Sequence, residues 1–269
     1  MTSLHHKVIW ITGASSGIGE ALTYELAKKG TKLILSARRK EELDRVKGNC
    51  LASAQPNVRV LPLDLTKQET LQLSTEAAIQ LFGQVDILIN NGGISQRSFV
   101  KDTVLEVDRK IMEINFFGTV AITKYLLPHF LKRKQGHFVT VSSVTGKFGT
   151  PYRSTYAASK HALHGFFDSL RAELWKDVKH QITVTMICPG FINTPITLSA
   201  ITGDGSPLGK MDHAQFKGMP ADLCARKIVN AIEHKKQEVY IGGKETLGVY
   251  FKRWFPALFA KYIRNAAVR

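Results

Sequence analysis

Thr12-Gly13-Ala14-Ser15-Ser16-Gly17-Ile18-Gly19 lies between two stretches of different character. Before it, residues 7–11 are strand-like and apolar. After it, residues 18–29 carry a helical pattern that stops at Gly30. Glycines at 13, 17 and 19 allow a tight turn and a close approach to a phosphate. The start of the following helix offers free N–H groups and a positive dipole end to that phosphate. The spacing is not Gly-x-Gly-x-x-Gly, so the glycines alone also fit a strand-to-helix turn with no ligand. A strand before and a helix after favour a phosphate site.

Outward from this turn, strand and helix signals alternate. Strands are expected at 8–12, 31–37, 58–63, 85–89, 137–141, 182–187 and 238–241. Helices are expected at 18–29, 40–54, 67–82, 103–133, 155–178 and 220–234. Strands apolar on both faces are buried on both faces. Alternation with helices implies right-handed crossovers and a parallel sheet. The expected fold is α/β: a Rossmann-type doubly wound parallel sheet flanked by helices. It forms a single catalytic domain over residues 1–246, with an extension at 247–269. A ligand belongs at the carboxyl ends of the strands, near the point where strand order reverses.

Composition narrows the class. Among 269 residues, 44% are apolar and 22% charged, as in a soluble globular chain. Neither a signal segment nor an uncharged run long enough to span a membrane is visible. Cys50, Cys188 and Cys224 are few, odd in number and widely spaced, which predicts neither a disulfide framework nor a metal site and suits a reducing cytoplasm. The formal charge is +15 and the pI about 9.8. Nucleic-acid binding is not expected, because the basic residues are dispersed and no recognition motif appears. A solvated basic surface and attraction to an anionic cofactor or lipid surface both remain open.

The strand ends decide the chemistry. Strand four runs into Asn90-Asn91-Gly92-Gly93, strand five into Ser142-Ser143, and strand six into Cys188-Pro189-Gly190, followed by Thr194. Ordinary turn chemistry explains any one of these. Three on successive strands of one sheet form a stronger pattern. Tyr156 and Lys160 are four apart on a helix, hence on one face. A phenol titrates near ~10, and a nearby ammonium or a cationic nicotinamide ring favours the phenolate. The pair can therefore act as a general acid or base. Without the glycine turn, a surface Tyr and Lys at helical spacing would be the better reading. In a site that prefers NAD, an acidic residue about ~20 positions beyond the glycines binds the ribose. Here strand two ends Ser36-Ala37-Arg38-Arg39, with no acid. Arg38, helped by Arg39, can pair with a 2′-phosphate, so NADP is favoured over NAD. Two solvated arginines opening the next helix are the alternative.

Taken together, these residues resemble the short-chain dehydrogenase/reductase family. Its Thr-Gly-x-x-x-Gly-x-Gly matches Thr12 to Gly19, and its Asn-Asn-Ala-Gly element matches Asn90 to Gly93. Asn115, Ser143, and Tyr156 with Lys160 match its remaining site residues, with Ser143 thirteen positions before Tyr156. Pro189-Gly190 and Thr194 match its Pro-Gly-x-x-x-Thr element. The resemblance covers residues 5–243 and is closest to the dehydrogenase/reductase group with basic, aromatic tails. Gly92 departs from it, standing where the family usually has Ala.

The resemblance implies an NADP(H)-dependent oxidoreductase, a carbonyl reductase or alcohol dehydrogenase. Tyr156 passes a proton to or from the substrate oxygen, and Ser143 orients that oxygen. Lys160 lowers the Tyr156 pKa and holds the nicotinamide ribose, and Asn115 anchors a water that links Lys160 to solvent. Cofactor contacts are implied at Gly13, Ser15, Ser16, Gly17, Ile18, Gly19, Asp64, Leu65, Asn91, Gly92, Gly93, Pro189, Gly190, Ile192 and Thr194, besides Arg38, Arg39, Tyr156 and Lys160. Residues 195–218 correspond to the substrate lid. Ile196, Leu198, Ile201, Leu208 and Met211 there suit a lipophilic carbonyl or alcohol, and equally a solvated loop with a few apolar residues. Phe148, Tyr152 and Phe191 line the pocket or belong to the core.

Residues 247–269 mix Tyr250, Phe251, Trp254, Phe255, Leu258, Phe259, Tyr262 and Ile263 with Lys252, Arg253, Lys261, Arg264 and Arg269. Peripheral membrane contact and packing on the core or a partner both fit, while Pro256 and the charges exclude a spanning helix. The segments 103–133 and 155–178 resemble the helix pair of the family's dimer contact, so a homodimer is expected. A catalytically weak nucleotide-binding sensor or scaffold of the same fold is the other function class. The complete set Asn115, Ser143, Tyr156 and Lys160 favours the enzyme.

Overall fold

A computed structural model describes residues 2–264. Its strands are β1 (Val8–Thr12), β2 (Lys32–Ser36), β3 (Val58–Val60), β4 (Ile87–Asn90), β5 (Gly136–Val141), β6 (Ile182–Pro189), β7 (Ile192–Asn193), β8 (Met219–Pro220) and β9 (Glu238–Ile241). Seven of them form one sheet in the order β3-β2-β1-β4-β5-β6-β9, and every pairing is parallel. β7 and β8 pair separately. The helices are α1 (Gly17–Ala27), α2 (Lys40–Gly48), α3 (Gln68–Phe82), α4 (Leu105–Met112), α5 (Gly118–Arg133), α6 (Ser154–Val178), α7 (His213–Phe216), α8 (Ala221–Glu233), α9 (Gly248–Trp254) and α10 (Pro256–Arg264). This is the doubly wound Rossmann-type architecture expected.

Strand periodicity divides the core. On β1, Ile9 and Ile11 join the apolar cluster beneath α1 and α8, whereas Val8 and Trp10 join the one beneath α3, α5 and α6. All five residues of β1 are buried, because helices cover both faces. β1 and β4 lie side by side, while the chain builds outward to β2 and β3 on one side and to β5, β6 and β9 on the other. The order reverses there, and a crevice opens above the two strand ends.

Two expectations are corrected. The helix expected at 103–133 is α4 and α5 joined by a π-helical turn at Glu113–Phe117. That turn carries Asn115, fully buried and held by three hydrogen bonds to Ile94 and Ser159, so tertiary bonding overrides a continuous α pattern. The helix expected at 40–54 stops at Gly48. Residues 195–218 are mostly turns, with short helices only at Pro195–Thr197 and α7. Ile201 bridges to Gln96 and Pro207, and the Asp212 carboxylate accepts from the Ala214 N–H at 2.9 Å at the start of α7.

The tail folds back as α9 and α10, with Pro256 opening the second helix, where its missing N–H is harmless. Phe259 is buried, its ring 5.1 Å from that of Phe148 and 5.7 Å from that of Phe251. Lys252 donates to the Lys147 carbonyl at 3.1 Å. Tyr250, Trp254, Phe255, Leu258 and Tyr262 stay more than half exposed. Arg269 lies outside the described residues. Among the described residues, no helix is long and apolar enough to cross a membrane.

Candidate active site

The crevice holds a cavity of about 670 Å³. One wall is the β1–α1 turn. Gly13 has φ +65°, and a Cβ there would stand 2.7 Å from the Gly92 Cα. A Cβ on Gly19 would lie 2.2 Å from the Gly13 carbonyl oxygen. The turn is braced from outside. Asn91 donates through Nδ2 to the carbonyls of Thr12 and Gly13, both at 3.1 Å, and the Asn91 and Gly92 N–H groups donate to the Thr12 hydroxyl. Arg45 reaches the Ser15 carbonyl at 3.1 Å while paired with Glu20. Ser16 is extended and makes no side-chain cap on α1. The first-turn N–H groups therefore have no side-chain acceptor among the described residues, which suits an incoming phosphate.

Next along the cavity come Arg38 and Arg39, both exposed and without a hydrogen bond or ion pair among the described residues. Asp64 lies close by. Burial works to raise its pKa, but hydrogen bonds from the Thr66 N–H and hydroxyl, together with Arg38, hold it below the usual carboxylate value. Leu65, Asn91, Gly92, Gly93, Pro189, Gly190, Ile192 and Thr194 line the same cavity, as do Gly13, Ser15, Ser16, Gly17 and Ile18. Of the catalytic and cofactor-contact residues expected from the sequence, only Gly19 and Asn115 do not line it. Gly19 is packed under the turn. Asn115 accepts from the Ile94 N–H at 2.8 Å and donates to the Ile94 carbonyl at 3.0 Å and the Ser159 hydroxyl at 3.1 Å, so its side chain is a brace.

The far end of the cavity holds Ser143, Tyr156 and Lys160. Ser143 follows β5 and accepts from the Thr145 N–H at 3.2 Å and the Thr145 hydroxyl at 3.0 Å. Gln96, itself fully buried, accepts from the N–H groups of Thr155 and Tyr156 and so fixes the first turn of α6. Burial raises the Tyr156 pKa, partly offset by Arg153, a hydrogen bond with Ser143, and Arg97. Lys160 is buried, and its Nζ donates to the Val141 carbonyl at 2.9 Å. It stands 5.7 Å from the centre of the Tyr156 ring, and burial pulls its pKa down to about 8. Arg153 and Arg97 both favour the phenolate here.

Neither arginine was singled out in the sequence. Arg97 follows β4, Arg153 precedes α6, and both line the cavity. They converge on one oxygen of Asp212, at 3.0 and 3.3 Å. The one local signal was the position of Arg153, three residues before Tyr156. Of the five apolar lid residues only Ile196 lines the cavity. Phe148 belongs to the tail's satellite cluster with Val144 and Phe259, and neither Tyr152 nor Phe191 is part of the cavity lining. Outside the cavity, ligating atoms of His164, Cys188 and Glu238 come within 4.8 Å of one another. The Glu238 carboxylate is already held by Lys147 at 2.8 Å and by the Tyr240 hydroxyl, and it serves as an internal hydrogen-bond hub.

Known proteins resemble the chain in sequence and fold. The short chain dehydrogenase family model matches residues 7–204. A Drosophila melanogaster protein, dehydrogenase/reductase SDR family protein 7-like, is 43% identical over 98% of this chain and 81% of its own length. The human dehydrogenase/reductase SDR family member 7 is 43% identical over 97% of this chain and 78% of its own. Among solved structures, a short chain dehydrogenase/reductase from Burkholderia phymatum in complex with NAD matches with a TM-score of 0.81 at 22% identity, covering 94% of this chain and 95% of that one. A short chain dehydrogenase from Burkholderia cenocepacia in complex with NADP matches with a TM-score of 0.76 at 23% identity, covering 97% and 98%. At such identities these structures speak to the fold.

Proposed function

The chain belongs to the short-chain dehydrogenase/reductase family of oxidoreductases, and from that membership we propose that it interconverts a hydroxyl and a carbonyl with NADP(H) as the redox partner. One observation carries the reading. A single cavity joins Ser143, Tyr156 and Lys160 at one end to the unpaired Arg38 and Arg39 at the other. The glycine turn and the uncapped α1 start fit a diphosphate. Arg38 and Arg39, with no acid at the end of β2, fit a 2′-phosphate and disfavour NAD. The bound nicotinamide supplies or accepts the hydride.

The chain's own residues do the rest. Ser143, fixed by Thr145, offers its hydroxyl to the substrate oxygen and steadies charge that develops there. Tyr156 gives its phenolic proton to that oxygen during reduction and takes it back during oxidation. Arg153 and Arg97 favour the phenolate, opposing the effect of burial. Lys160 serves the nicotinamide ribose, and Asn115 holds the loop after β4 against α6. An apolar part of the substrate rests on Ile196. The exposed aromatic face of α9 and α10, with Lys252, Arg253, Lys261 and Arg264, is a peripheral contact for an acidic lipid surface, through which a lipophilic substrate can arrive. The three buried free cysteines accord with a cytoplasmic setting.

Fluorescence titration with NADPH and NADH tests the cofactor, and NADPH oxidation across ketones, aldehydes and quinones tests the chemistry. Tighter binding of NADPH with turnover of at least one carbonyl is expected. Equal affinity for NADH contradicts the cofactor assignment. Tight NADPH binding with no turnover of any carbonyl marks a nucleotide-binding sensor or scaffold instead.

A further inference from the structure

The substrate end of the cavity contains more positive charge than its surroundings neutralise. Arg97 and Arg153 have side chains only 7% and 8% exposed. Both bond the same Oδ2 atom of Asp212, whose side chain is 1% exposed and whose Oδ1 is taken by the Ala214 N–H. Among the described residues, Asp212 is the carboxylate acting on both guanidiniums, and the other anionic candidate is the Tyr156 phenol. Two buried cations against one anion leave a net positive charge. Such a charge is costly unless something pairs with it.

The two guanidiniums are not equally satisfied. Arg97 also donates to the Gln96 carbonyl at 2.8 Å and to the Ser95 hydroxyl at 3.2 Å. Arg153 has one hydrogen-bond acceptor, Asp212, and its cation lies 5.9 Å from the Phe191 ring centre. Its Nε is buried with no partner. Burial and the neighbouring Arg97 pull the Arg153 pKa down to about 10, so it remains a cation at neutral pH. A guanidinium presents a planar fork that matches a carboxylate or phosphate. Arg153 lines the same cavity as Tyr156, and the two are linked by a single turn of chain.

We propose that the substrate carries an oxyanion, a carboxylate or a phosphate, that docks on Arg153 with Arg97 behind it while its carbonyl or hydroxyl carbon faces Tyr156. The proposal rests on the oxidoreductase reading for the second half of that sentence only. It makes Arg153 a specificity-determining residue: the anion completes the charge balance that Asp212 leaves half done. It also couples binding to chemistry, because an anion on Arg153 lessens that residue's pull on the phenol and keeps the Tyr156 proton in place for donation.

The test uses matched pairs: straight-chain keto acids of increasing length with their methyl esters, and keto alcohols with their phosphate monoesters. Affinity for the protein is measured by calorimetry with and without NADP⁺, where no ketone reduction can occur. The anionic member of at least one pair is expected to bind tenfold or more tightly than its neutral partner. The carboxylate and phosphate arms show which oxyanion fits. Arg153→Gln is expected to abolish that ratio, and Arg153→Lys to keep part of it. A wild-type ratio near one in every pair overturns the proposal without any variant, as does an unchanged ratio in folded Arg153→Gln protein. NADPH oxidation with the same compounds separates the two claims. Selective anion binding without turnover keeps the site and removes the oxidoreductase reading. Turnover of acids and esters with equal kcat/KM keeps that reading and removes the site.

Discussion

Lys160 shows how a functional residue burdens the fold that holds it. Burial takes its pKa from 10.5 to about 8. The native state then binds fewer protons than the unfolded chain between those values. Stability therefore rises as pH increases through that window, and the full penalty applies below pH 8. A shift of this size corresponds to roughly 3 kcal/mol, set against about 1 kcal/mol for the hydrogen bond to Val141. Lys160→Met is thus expected to be more stable than wild type by about 2 kcal/mol at pH 7 in urea denaturation. The advantage should be gone near pH 10.5, and cofactor affinity and rate should both fall. No gain at pH 7 contradicts this. Lys160 and Tyr156 were legible in the sequence because four residues on a helix define a shared face. Arg97, Arg153 and Asp212 were not. Asp212 meets them across 115 and 59 residues of chain, and no local pattern encodes a contact of that separation.

The β1–α1 turn, by contrast, is written locally. Its glycines, the apolar strand before it and the helix after it lie within one short stretch, and the turn forms where the sequence placed it. Its tolerance to a methyl group differs by position. A Cβ on Gly19 meets backbone, the Gly13 carbonyl oxygen at 2.2 Å, whereas a Cβ on Gly92 meets the movable Leu65 Cδ1 at 2.9 Å. Gly19→Ala is expected to destabilise by about 3 kcal/mol, the upper part of the usual overpacking range, and to lose NADPH binding. Gly92→Ala, which restores the usual family residue, should stay within about 1 kcal/mol of wild type. Thermal denaturation with and without NADPH checks both, and equal melting temperatures for the two variants contradict the packing argument. The π-helical turn between α4 and α5 escaped the sequence because one inserted residue changes neither composition nor apolar spacing enough to show. It follows from the hydrogen bonds of Asn115, which are tertiary.

At the scale of the molecule, exposed aromatic side chains mark two candidate contacts. On α5 and α6 and the π-turn, Phe117, Tyr125 and Trp175 are 50%, 41% and 52% exposed. We propose that they meet their symmetry copies in an isologous homodimer. Light scattering at micromolar concentration is expected to give twice the chain mass, and a monomer contradicts it. The second contact is the tail, where Trp254 and Tyr262 are 73% and 63% exposed while Phe259 is buried. A Trp254→Ala/Tyr262→Ala double variant should keep the wild-type melting temperature and lose co-sedimentation with anionic vesicles. Wild-type binding should weaken with salt. Equal binding by both proteins removes the membrane role. The sequence showed the mixture of aromatic and basic residues in the tail, but which aromatics face inward depends on Phe148, about a hundred positions away. The central claim is that Tyr156 moves the proton in a carbonyl–hydroxyl interconversion, and Tyr156→Phe tests it most directly because the ring stays and only the hydroxyl goes. With a carbonyl that the wild type reduces, NADPH oxidation by the variant is expected to fall by at least ~100-fold while NADPH affinity is unchanged. Turnover within a few-fold of wild type would mean that the proton comes from another group.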